Sequence, residues 1–184
     1  MLVTEEELYK LRFPVGEFNA PETIISAQIN QWVDVIAAFP HRVNEATKRL
    51  NTTEKNWRYR PDGWRLKQVV HHCADSHMNS IIRFKLTLTE KAPTIRPYME
   101  HLWAELVDSQ DDDLSHSVSI LTSVHHKWVQ LLSNFTSEDY AKYYVHPEYG
   151  TNYRLDEAIG LYAWHCQHHF AHIQQALESE GKYN

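Results

Sequence analysis

Four of the eight residues from His165 to His172 are histidine: His165, His168, His169 and His172. The segment around them has helical spacing, at about 100° per residue. With His165 at the origin, His169 falls at about +40°, His172 at about −20° and His168 at about −60°. Ala158, Leu161, Tyr162 and Ala176 share that sector. The imidazoles therefore lie on the apolar stripe that a helix turns inward. Burying several imidazoles is costly unless each is hydrogen-bonded or ligated. The chain must fold so that this stripe meets partners, and a metal ion is one that satisfies several rings together. Two histidines four apart on one helix face can reach the same ion. Spacing allows either His165 with His169 or His168 with His172.

The rest of the chain has the matching architecture. Apolar residues at helical spacing predict a helix within 21–50, carrying Ile25, Ile29, Trp32, Ile36, Phe39, Val43 and Leu50, which Pro40 should kink. A second is expected over 64–89, and a third after Asp111-Asp112-Asp113, through Leu114, Leu121, Trp128 and Leu132. The last runs from about Leu155 to Glu180 and stops at Gly181. The first 20 residues read as irregular. Residues 137–154 read as an irregular excursion or a small hairpin. Four long helices with short connecting pieces and few glycines predict an all-α four-helix bundle, a single domain over 1–184.

Composition closes off other classes. Lys+Arg 18 against Asp+Glu 24 leaves a net charge of −6, which argues against a nucleic-acid partner. No stretch approaches the roughly 20 apolar residues of a membrane span. The acidic opening, Met1 to Glu7, contains no signal-peptide core, and two cysteines make no disulfide framework, so a reduced cytoplasmic setting is expected.

A catalytic zinc site uses three protein ligands and an open position. The last helix can give two; the third is open among His71, His72, His77, His125, His126 and His146. On the second helix His77 lies near the centre of the apolar stripe through Leu66, Val69, Val70, Cys73, Ile81, Phe84 and Leu88, which favours it. A polar line runs about 120° round the same helix through Arg65, His72, Ser76, Asn79 and Arg83. It reads either as a solvated face or as a pocket wall in which Arg83 anchors a substrate carboxylate. Lys67 and Lys85, roughly opposite, supply a water-facing side and weaken the first reading. Asp75 and Glu157 are near the right elements to be bases or orienting carboxylates, but each reads first as a surface or helix-start carboxylate. Cys73 and Cys166 show no nucleophile pattern.

The run Asp62-Gly63-Trp64, Gln68-Val69-Val70-His71-His72, Ala74-Asp75-Ser76-His77-Met78-Asn79-Ser80 and Ile82-Arg83-Phe84-Lys85 resembles the DinB/YfiT superfamily, YfiT-type proteins closely. So do Arg96-Pro97-Tyr98 and Gly160-Leu161-Tyr162-Ala163-Trp164-His165 with His168-His169 and Ala171-His172-Ile173. The likeness extends over nearly the whole chain. It implies a homodimeric four-helix bundle with one divalent metal per chain, zinc first and nickel second, held by His72, His165 and His169. It also makes Ser76, Asn79 and Arg83 credible as substrate-binding residues. The implied activity is a metal-dependent hydrolase of a small molecule. The alternative is a transferase using a low-molecular-weight thiol of the bacillithiol or mycothiol type. A rival of another class is a non-enzymatic bundle with a structural metal. The sequence between His165 and His169 is Cys166-Gln167-His168, so the HExxH glutamate of metalloproteases is absent and peptide hydrolysis is disfavoured.

Overall fold

In the computed structural model the described residues are 3–148 and 150–184. The helices are α1 (Glu5–Arg12), α2 (Ser26–Thr47), α3 (Thr52–Lys55), α4 (Leu66–Thr89), α5 (Glu100–Trp103), α6 (Ser115–Leu132), α7 (Ser137–Ala141) and α8 (Leu155–Ser179). A 3-10 turn spans Asp108–Gln110, and strands β1 (Tyr143–His146) and β2 (Thr151–Arg154) precede α8. The four long helices close a ring in which α2 packs on α6, α6 on α4, α4 on α8 and α8 on α2. Ile36, Phe39, Leu66, Val70, Phe84, Leu121, Trp128, Ile159 and Ile173 fill its centre. No described helix is long and apolar enough to cross a membrane.

Local chemistry sets the helix boundaries. α8 starts where the Glu157 carboxylate accepts the Arg154 N–H at 3.2 Å, so Glu157 is a cap and not a base. It ends at Ser179, one residue short of the expected Glu180, with Glu180 (φ 48°) and then Gly181 (φ 81°) in left-handed conformations. The expectation of an irregular first 20 residues is corrected: α1 buries no residue, so it carries no apolar stripe to read. It is held by a capping box between Thr4 and Glu7, by Glu5, Glu6 and Glu7 in its first turn, and by Lys10 and Arg12 in its last.

Pro40 lies inside α2 without ending it. Lys67 is corrected too: it is buried, and its ammonium donates to Asp112 Oδ1 at 2.8 Å and to the Gln110 carbonyl at 2.7 Å, fastening the acidic 108–113 segment to α4. The excursion before α8 is a hairpin pairing Tyr143 with Arg154 and His146 with Thr151. It is sewn to the chain leaving α4, since Ile95 N–H donates to the Val145 carbonyl at 3.0 Å and Val145 N–H to the Pro93 carbonyl at 2.9 Å. That pairing holds the segment leading to Tyr98 alongside β1.

Where α8 crosses α2, a Cβ on Gly160 would stand 2.8 Å from one Trp32 ring atom and 3.0 Å from two others. Alanine normally gains about 1 kcal/mol over glycine in a helix. Overpacking costs about 1–3 kcal/mol and should win here. Gly160→Ala is therefore expected to lower the urea midpoint, with recovery in Gly160→Ala/Trp32→Leu. An increase in the single variant would contradict this packing.

Candidate metal centre

The inward faces of α4 and α8 bring His72, His165 and His169 together. One ring nitrogen from each lies within 4.8 Å of the others. The ring centroids are 5.4 Å apart for His72 and His165, 4.8 Å for His72 and His169, and 4.3 Å for His165 and His169. Burial lowers the His72 pKa to about 4 and holds His165 and His169 well below the usual imidazole value, with the neighbouring histidines adding to the effect. Three neutral imidazoles are the donor form a divalent cation requires. Among the described residues no fourth histidine, cysteine or carboxylate joins this group. His126 lies elsewhere, in a groove of about 740 Å³ between α2 and α6.

Two other groups meet the same distance condition: His77, His125 and Cys166; and His168, His169 and His172. In the first of these every histidine nitrogen is engaged, whereas in the other His168 Nδ1 is buried with no hydrogen-bond partner among the described residues. His77 Nδ1 is 2.7 Å from His125 Nε2, His77 Nε2 is 3.0 Å from His165 Nδ1, and His125 Nδ1 is 2.6 Å from the Ile36 carbonyl. Burial pushes the Cys166 thiol well above its usual value, away from the thiolate a metal needs. In the third group His172 Nε2 is 3.2 Å from the Arg12 carbonyl, and His172 Nδ1 is 3.4 Å from His169 Nδ1. His168 stacks on Trp164 with centroids 4.4 Å apart. The apolar stripe correctly points His77 into the core, where both its nitrogens are taken by other histidines, so the geometry does not favour it as the third ligand. His71 is tied to Ser117 Oγ at 2.8 Å and the Asp111 carbonyl at 3.0 Å.

The polar line on α4 divides. Ser76 Oγ is buried 3.5 Å from His165 Nε2, at the edge of the triad. Arg83 Nη1 donates to Tyr162 Oη at 3.3 Å, and Tyr162 packs on His165. Asn79 turns back on its own helix, its amide donating to the Asp75 carbonyl at 2.9 Å. Arg65 leaves the line, its guanidinium reaching Gln110 Oε1 at 3.4 Å.

Sequence reasoning missed three aromatic residues here. Trp64 packs on His72 with centroids 4.7 Å apart. Tyr98 lies beside Ser76, and burial raises its pKa so that the phenol stays protonated. Tyr162, grouped with the apolar stripe, turns its hydroxyl to Arg83. The Asp62-Gly63-Trp64, Arg96-Pro97-Tyr98 and Leu161-Tyr162 motifs were the available signals for them. Asp75 is half-buried, and desolvation followed by the Asp108 charge raises its pKa to about 6. Among the described residues none of the triad's hydrogen bonds goes to a carboxylate.

Comparison with known proteins converges on the same helices. The family model of the DinB superfamily matches residues 36–173. A Bacillus subtilis protein, YfiT, whose name proposes a metal-dependent hydrolase, is 42% identical over 171 residues, covering 93% of this chain and 96% of the relative. A Bacillus cereus (strain G9842) protein similarly named is 48% identical over 163 residues, covering 89% and 93%. The solved structure of Bacillus subtilis YfiT, described as having an unusual four-helix bundle topology, superposes with a TM-score of 0.90 at 41% identity, over 94% of this chain and 98% of that one.

The depressed imidazoles make a pH prediction. His72, His125 and His168 fall to about 4 and His172 to about 3, against 6.5 when unfolded. Below 6.5 the unfolded chain binds protons that the folded chain refuses, so stability present above 6.5 is lost as pH falls towards 4. Asp75, raised to about 6, acts in the opposite sense but is one group against several. The urea midpoint of the metal-free protein should drop between pH 6.5 and 4; a flat profile would contradict the burial of these rings as neutral species.

Proposed function

This chain belongs to the DinB superfamily, and from that membership we propose that it is a metal-dependent enzyme, a hydrolase of a small molecule, with His72, His165 and His169 as the ligands of one divalent ion. The observation that carries the proposal is the convergence of three neutral imidazoles, His72 and His169 buried and His165 half-buried, from two helices beside a wall of polar side chains. Zinc is the first expectation and nickel the second. A bound divalent ion supplies Lewis acidity, acidifying a water or a thiol and polarising a carbonyl.

The chain's own residues supply the rest. Ser76 offers a hydroxyl beside His165. The Tyr98 phenol, kept protonated by burial, donates a hydrogen bond to a developing negative charge. Arg83, steadied by Tyr162, binds a carboxylate or similar anion and so orients the substrate along α4. Asn79 spends one amide hydrogen on the Asp75 carbonyl and retains its oxygen for a substrate donor.

A second reading is transfer of a low-molecular-weight thiol. It is favoured by the absence, among the described residues, of a carboxylate hydrogen-bonded to the triad, because a thiol needs less help than water in losing its proton. A purely structural metal is supported less, since three ligands leave a position open. We also propose a homodimer, on the exposed apolar run Met99, Leu102, Leu106 and Val107 beside α5.

Elemental analysis of the untagged protein should find about one zinc or nickel per chain, lost in His72→Ala, His165→Ala and His169→Ala. Metal retained in His72→Ala but lost in His77→Ala would overturn the ligand set. With metal present, screens of esters and amides, then of thiols with electrophiles, separate the two chemistries. Arg83→Ala should raise KM for an anionic substrate roughly 10-fold or more with metal content unchanged. An unchanged KM would remove Arg83 from the pocket.

A further inference from the structure

The direction of every hydrogen bond in the His125–His77–His165 row follows from one atom that cannot donate. His125 Nδ1 lies 2.6 Å from the Ile36 carbonyl oxygen. A carbonyl only accepts, so Nδ1 carries the hydrogen. The ring packs against Phe39 and Trp128, with no carboxylate among its contacts, and burial brings its pKa to about 4. Neutral His125 therefore presents a lone pair at Nε2. His77 Nδ1, 2.7 Å away, must donate to it, which leaves His77 Nε2 as an acceptor. His165 Nδ1, 3.0 Å from that acceptor, must donate in turn. His165 is then left with its lone pair on Nε2, the nitrogen nearest Ser76 at the edge of the triad. The reversed row would need a hydrogen on the Ile36 oxygen.

That oxygen is free for a reason written in the sequence. The carbonyl of Ile36 would ordinarily receive the N–H four residues later, and that residue is Pro40, which has none. A shorter row runs on the other side of α8. The Arg12 carbonyl, at the end of α1 where the helix offers it no donor, accepts from His172 Nε2 at 3.2 Å. His172 Nδ1 is then an acceptor facing His169 Nδ1 at 3.4 Å, and His169 too is left with its lone pair on Nε2.

We propose that Pro40, His125 and His77 are positioning residues which commit His165 to present Nε2 to the triad, and that His172 with the Arg12 carbonyl does the same for His169. The inference rests on the reading of the triad as a metal site. Hydrogen bonds to the outer nitrogen of a ligating histidine fix its tautomer and orientation. Here the outer partners are histidines ending on two backbone carbonyls, where a carboxylate is the more usual partner.

The test is long-range proton–nitrogen NMR of histidine-labelled full-length protein, zinc-loaded and after chelation, together with zinc affinity by chelator competition. His125, His77 and His165 should each carry the hydrogen on Nδ1 in both states. His125→Phe should return His77 to a mixture of tautomers and weaken zinc binding about 10- to 100-fold. Pro40→Ala restores a competing N–H at the Ile36 carbonyl. Its thermal stability should hold or rise while its zinc affinity falls, a pairing that a merely structural role does not produce. An Nε2 hydrogen on His77 or His165 in the metal-free wild type, or wild-type affinity in folded His125→Phe, would overturn the relay. Wild-type affinity in Pro40→Ala would remove Pro40 from it. Nδ1 hydrogens in a wild type that takes up no zinc would uphold the relay and sink the metal reading instead.

Discussion

An imidazole buried in an apolar bundle has two nitrogens that need partners, and this molecule is organised around meeting that demand along the α4–α8 seam. His71 is satisfied by Ser117 and the Asp111 carbonyl, His125 by the Ile36 carbonyl and His77, and His172 by the Arg12 carbonyl. Each partner comes from another part of the chain, so the histidines dock α1, α2 and α6 onto the two helices that carry the triad. His72, His165 and His169 are where one ring nitrogen from each of three histidines comes within 4.8 Å of the others. A cation bound there, as proposed, would resolve that convergence, since it is what several inward-facing lone pairs attract.

The four long helices were legible because each carries an apolar stripe of helical period, and the stripe records which side is covered. α1 was not legible, since a helix that buries nothing leaves no stripe and declares itself only through its caps. The choice between His72 and His77 shows the limit of the helical wheel. A wheel gives the face a residue lies on, and both faces of α4 turned out to be covered. What differs is the neighbour each meets: His77 lies between His125 of α6 and the outer nitrogen of His165, while His72 meets the rings of His165 and His169 on α8. The preference for His72 comes from the family likeness, since rotation alone does not choose.

The site wall was partly legible for a similar reason. Ser76 and Arg83 lie on one line of α4 and both reach residues of α8. Tyr98 comes from a stretch with no periodicity, and its place is fixed by the backbone pairing of Pro93 and Ile95 with Val145. Long-range pairing of that kind leaves no local signal. Lys67 was misread because a lysine stem can be covered while its ammonium finds a carboxylate, here Asp112.

The central claim is that one divalent ion sits between α4 and α8 on three imidazoles. Anomalous diffraction at the zinc edge, from crystals of the full chain grown with zinc, tests it most directly. The account predicts one strong peak at about 2.0–2.1 Å from a ring nitrogen of each of His72, His165 and His169, with Nε2 as the donor in the last two. A peak among His77, His125 and Cys166, a peak among His168, His169 and His172 alone, or no peak in the bundle would contradict it.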